Sequence, residues 1–123
     1  MMFLCCIFSY ATKPIAVDRV KSVAFNYNNK WTAESEFNAL ILTFKDRIVI
    51  KSGKRESLFT IAGKVEEIKD ANGTEWVTFE CLNENLESCV LGFTYSKYLD
   101  SRCMLIMYPN NLARYIIKNE DEH

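Results

Sequence analysis

Glycine and proline are scarce, at 4 and 2 in 123 residues, which excludes a flexible linker and a low-complexity segment. Histidine occurs once, as the terminal His123. The body of the chain therefore lacks the usual base for a Ser or Cys nucleophile, and a Cys/His zinc site is short of ligands. No apolar run reaches the ~18 residues of a membrane span. No glycine-rich phosphate loop or dinucleotide fingerprint is present. Neither sign of charge dominates: 15 Lys and Arg face 16 Asp and Glu, for a formal net charge of -1. The basic excess of a nucleic-acid or anionic-membrane binder is missing. What the chain does have is apolar surface to bury. Hydrophobic residues make up 49% and aromatics 13%, enough for the core of one folded domain.

Residues 1–11 are apolar and uncharged, and Ser9-Tyr10-Ala11 has the small-x-small form of a signal-peptidase site, although no Lys or Arg precedes Lys13. The expectation is a signal peptide over 1–11 and a single all-β domain over 12–123. The product would be secreted or periplasmic, with a buried strand of a cytoplasmic protein as the alternative. No lipobox precedes Cys5, so a soluble export product is expected rather than a lipid anchor. Of 5 cysteines, Cys81, Cys89 and Cys103 would remain after cleavage, allowing one intramolecular bridge.

The clearest pattern is a hairpin over residues 76–95. Val77, Phe79 and Cys81 alternate with polar residues, and Cys89, Leu91, Phe93 and Tyr95 continue the alternation on the return. A register that opposes Phe79 to Leu91 and Val77 to Phe93 also opposes Cys81 to Cys89, and a one-residue slip would undo both. This predicts a Cys81–Cys89 disulfide. Cys103 is expected opposite Tyr95, unbridged. Upstream, Val23, Phe25 and Tyr27 predict a strand, and Thr32 offers a weak cap for one helical turn over 31–36. Leu40, Leu42 and Phe44 face Ile48 and Ile50 if a three-residue loop, Lys45-Asp46-Arg47, joins the strands. Phe59, Ile61 and Val65 share a parity that Ile68 breaks, which predicts a bulge at Glu66-Glu67. Asn72-Gly73 reads as a tight turn, and Asn72-Gly73-Thr74 is also a glycosylation sequon. Residues 103–108 are apolar on both parities, and Ala113 to Ile117 reads as a last strand.

About eight short strands and no long helix predict an all-β antiparallel meander closing into a small barrel or two-sheet sandwich. The architecture is broadly similar to lipocalin-type barrels, but the Gly-x-Trp of their first strand is absent, and Asn28 to Trp31 reads Asn-Asn-Lys-Trp. Glu75, Glu80, Glu84 and Glu87 are the carboxylates that an acid–base pair would have to use. A small hydrolase is the least favoured reading, and no catalytic residue, cofactor or metal is expected. The preferred reading is a non-enzymatic binding or interaction module using a sheet face or the barrel mouth. The alternative is a lipocalin-like carrier of a small apolar ligand. Trp31, Trp76, Tyr98, Met104, Ile106 and Tyr108 are the candidate contacts with a ligand or protein partner, since large amphipathic side chains favour such surfaces. The strand over 103–108 is the candidate homodimer contact. Its outward side is expected to be covered, either by residues 31–37 or by another chain.

Overall fold

Nine strands, β1 (Ala16–Tyr27), β2 (Lys30–Trp31), β3 (Ser35–Thr43), β4 (Arg47–Ser52), β5 (Arg55–Lys69), β6 (Glu75–Leu82), β7 (Ser88–Ser96), β8 (Ser101–Met107) and β9 (Asn111–Ile117), follow one another along the chain. They belong to a computed structural model that describes residues 13–119, so the expected signal segment and the acidic end lie outside the described residues. β1 pairs with β3, each later strand pairs with the next, and β9 pairs back onto β1, all antiparallel. The result is a closed eight-stranded up-and-down barrel, with β2 as an extra two-residue strand on the end of β1. The barrel outcome, rather than the sandwich, removes every long sheet edge. Among the described residues no helix is long and apolar enough to cross a membrane.

Alternation fills the interior. Val20, Ile41, Ile48, Leu91 and Met104 are each at most 1% exposed, and Ala39, Ile50, Phe59, Cys81, Cys89, Ile106 and Ile117 complete the cluster. The β6–β7 hairpin has the expected register, with Phe79 opposite Leu91, Val77 opposite Phe93 and Cys81 opposite Cys89. Asn28 and Asn29 turn β1 into β2 with φ of 54° and 64°, the left-handed pair that a type I′ turn requires and asparagine tolerates. The Asn72-Gly73 turn is also present. Gly73 has φ 81°, and Asp70 accepts from the backbone of Asn72 and Thr74 through Oδ1.

Several expectations are corrected. The β3–β4 loop has two residues, since the amide of Phe44 donates to the carbonyl of Arg47 and Thr43 sits opposite Ile48. This turns Ala39, Ile41 and Thr43 inward instead of Leu40 and Leu42, while Phe44 is buried at the hairpin end beside Arg47. The strand is apolar on both parities, so the pattern left its face undetermined and the shorter turn decided it. Residues 31–36 contain no helical turn, and β3 begins at Ser35. The irregularity in β5 lies between Ile61 and Val65, whereas Glu66 and Glu67 pair regularly with Thr78 and Val77. A Cβ on Gly63 would sit 2.4 Å from Oε2 of Glu80, and that oxygen accepts from the amide of Lys64 at 2.8 Å. The bulge sits where a missing side chain admits a carboxylate that satisfies a freed amide. Ile68 needs no parity change, because it faces outward beside Trp76. In β8, Cys103 pairs with Thr94 and Tyr95 with Arg102. That one-residue difference sends Cys103, Leu105 and Met107 outward and puts Met104 and Ile106 in the core.

Candidate functional site

The outer wall over β6 to β9 is built in rows of cross-strand neighbours. One row runs Trp76, Thr94, Cys103, Ile116, and the next Thr78, Gly92, Leu105, Arg114, Ala24. Outward positions on a barrel usually meet water, yet Cys103 is 1%, Ile116 6% and Ala24 0% exposed. The cover comes from the chain itself. A Cβ on Gly92 would lie 3.0 Å from Cε3 of Trp76, which places the indole across the glycine. Its Nε1 donates to Oδ2 of Asp70 at 3.2 Å, fixing the ring's orientation. The same Asp70 also accepts from the amide of Thr74, and these bonds hold its carboxyl below its ordinary range. At the upper end, the guanidinium of Arg114 lies 4.5 Å from the centroid of the Trp31 ring and pairs with Glu34. At the lower end the Lys97-to-Asp100 loop carries Tyr98, which is 96% exposed.

Between these covers lies a cleft of about 660 Å³. Its walls include Trp76, Tyr98 and Leu99, and its floor Cys103, Leu105 and Arg114. Burial pushes the Cys103 thiol above its ordinary pKa, with Arg114 pulling it down and Glu34 raising it. Nε of Arg114 is buried and has no hydrogen-bond partner. The cleft thus has an aromatic wall, in which Asp70 fixes the Trp76 indole, and a largely apolar floor.

Three of the six aromatic and apolar candidates, Trp31, Trp76 and Tyr98, belong to this outer surface. Met104 and Ile106 do not, being 0% and 4% exposed inside the barrel. Both face the interior, and on the outer side of the strand over 103–108 Cys103 and Leu105 lie beside Trp76, Tyr98 and Leu99. Tyr108 lies at the opposite end, where its hydroxyl accepts from Nδ2 of Asn83 at 3.1 Å. It lines a depression of about 500 Å³ together with Cys81 and Cys89. Those two thiols are unbridged, and burial pushes that of Cys81 up to about 12, with Cys89 adding to the rise. The candidate carboxylates serve separate tasks: Glu80 fills the β5 bulge, Glu87 accepts from Asn83, and Glu75 lies 3.8 Å from Lys69. Among the described residues no group of three or more His, Cys, Asp or Glu is arranged to hold a metal.

The residues missed from the sequence are Gly92, Leu99 and Arg114; Cys103 and Leu105 were expected as part of the contact strand over 103–108, without the cleft they floor. Gly92 was the available signal, since a glycine within an apolar strand marks close approach of a bulky neighbour. Comparison with protein-family models, curated proteins and solved structures finds no match to this chain.

Proposed function

We propose that the protein is a non-enzymatic binding module that receives a large apolar side chain of a protein partner in the outer cleft between Trp76, Tyr98 and Leu105. One observation carries the reading: the barrel interior is filled by side chains, while the fixed aromatic cleft lies on its outside. A carrier of a small apolar ligand needs an enclosed cavity of a few hundred Å³, and Ile41, Ile48, Leu91 and Met104 occupy the positions that would line one. An indole already held by Asp70 loses little freedom on binding, which favours affinity.

The test is a displayed peptide library selected on the full chain. Selection should enrich sequences with an aromatic or long aliphatic anchor. Tyr98→Ala should weaken their binding about tenfold or more, as loss of a central aromatic contact does. Leu91→Ala, which opens the interior, should leave binding unchanged while the protein stays folded. Peptides that bind the Tyr98→Ala protein as well as the wild type would overturn the proposal.

The proposal retains export of the protein and, with it, a Cys81–Cys89 bridge. Its support is the direct opposition of the two residues across β6 and β7. A peptide map of protein from its native host should show this bridge, Thr12 as the first residue and Cys103 unbridged. Intact Met1 with all thiols reduced would contradict that setting.

A further inference from the structure

The opposite side of the barrel's outer wall carries a second apolar row, half-buried at its centre and exposed at its two ends. Val17, Leu42, Val49 and Leu58 are consecutive cross-strand neighbours on β1, β3, β4 and β5. Val17 is 56% and Leu58 38% exposed, and Ile15 beyond them is 74% exposed. The row on one side of this strip reads Arg19, Leu40, Lys51, Glu56 in the same strand order. Arg19 and Glu56 thus sit at opposite ends of one row, and among the described residues neither makes an ion pair within the chain. On the other side, Phe44 faces Arg47 at the hairpin end, and the Arg47 guanidinium lies 3.9 Å from the Phe44 ring centroid.

We propose that this face docks a second copy of the chain, related by a two-fold axis that runs parallel to the strands between β3 and β4. Such an axis keeps each row but reverses its order. Val17 then faces Leu58 of the other copy, Leu42 faces Val49, and Arg19 faces Glu56, twice in the dimer. The pattern is complementary to itself, as an isologous contact requires. The alternative axis, perpendicular to the strands, sets like-charged Lys51 against Arg47 and leaves Arg19 and Glu56 without charged partners. The parallel axis pairs those two charges and sets Lys51 against Leu40, along which its aliphatic stem can lie. Four strands about 4.8 Å apart and three same-face rows about 6.7 Å apart outline roughly 400 Å² per copy. Over both copies that is about 800 Å², below the ~1,200 Å² at which standard specific interfaces begin, so the dimer forms weakly and reversibly.

The test is sedimentation velocity of the full chain from about 10 µM to about 1 mM. The wild type should shift from monomer to dimer across this range, and Val17→Asp should stay monomeric. Arg19→Glu sets carboxylates against each other and should weaken the dimer about tenfold or more. Adding Glu56→Arg to it exchanges the charges and should restore association to near the wild-type level. A wild type that is monomeric throughout, or a dimer indifferent to Val17→Asp, overturns the proposal. Failure of the double exchange to restore a dimer that Arg19→Glu has weakened overturns the proposed axis. These outcomes are separate from those at the cleft, because neither Val17 nor Arg19 lines it.

Discussion

The two apolar stretches of the outer wall differ in what stands next to them. Over β6 to β9, residues that alternation points at solvent are nonetheless buried, with Cys103 at 1% and Ile116 at 6%. Over β1 and β3 to β5, similar residues remain open, with Val17 at 56%. Apolar content does not distinguish these faces. Neighbouring turns and large side chains do. Four residues separate Ser96 from Ser101 and put Tyr98 and Leu99 beside β8. The β1–β3 connection is long enough to carry Trp31 and Glu34 back onto Arg114. By contrast, the Lys45-Asp46 and Gly53-Lys54 loops have two residues each and cannot fold back over their strands. A short turn fixes register and leaves the outer wall bare; a longer one covers it and creates a cleft at the seam.

The largest effect that could break this comparison is a buried charge. Cys103→Asp should destabilise the protein by about 3 kcal/mol or more, because the carboxylate is enclosed where the nearby Arg114 is already paired with Glu34. Chemical denaturation would show it, and a midpoint equal to wild type would mean the face is not covered. A pH titration of the reduced protein should cost up to a few kcal/mol. Burial raises Cys81 from an ordinary 9.0 to about 12, and Cys103 is raised too. These groups keep their protons in the folded state, so their stabilisation is complete below pH 9. It is lost as pH climbs from 9 towards 12. Cys81→Ala should flatten that decline, and a wild-type curve level across this window would contradict the buried thiols. Next comes Gly92→Val, which pushes against Trp76 and Met107. We expect a loss of about 2 kcal/mol, as for overpacking elsewhere, together with a change in tryptophan emission. Trp31→Ala should cost about 1 kcal/mol by removing the ring under Arg114. On the bare face Val17→Asp should shift stability by no more than about 0.5 kcal/mol.

The sequence made the antiparallel all-β meander legible wherever alternation was one-sided, and left barrel or sandwich open. The β6–β7 hairpin is such a case: polar Thr78 and Glu80 separate Val77, Phe79 and Cys81, and only one register satisfies both strands. The Asn72-Gly73 turn was legible for a different reason, since Gly73 supplies the left-handed backbone it needs. β3 and β8 were not legible in the same way. Each is apolar on both parities, so its inward face depends on a turn length that single residues do not announce, and one residue at 97–100 moved Met104 and Ile106 from candidate contacts into the core. The cleft was legible only in its aromatic rim of Trp76 and Tyr98. Its floor depends on the β8 register, and Arg114 enters through a β9 pairing that no local pattern predicts.

The central claim is that two outward-facing positions on one barrel wall see opposite environments. Its most direct test is the alkylation rate of Cys103 against that of a cysteine introduced by Val17→Cys, read site by site with iodoacetamide and peptide mapping at low micromolar protein. The account predicts that the cysteine at position 17 reacts at nearly the rate of an unstructured thiol, and that Cys103 is protected at least a hundredfold until denaturant opens the barrel. Equal rates at the two sites under native conditions would contradict it.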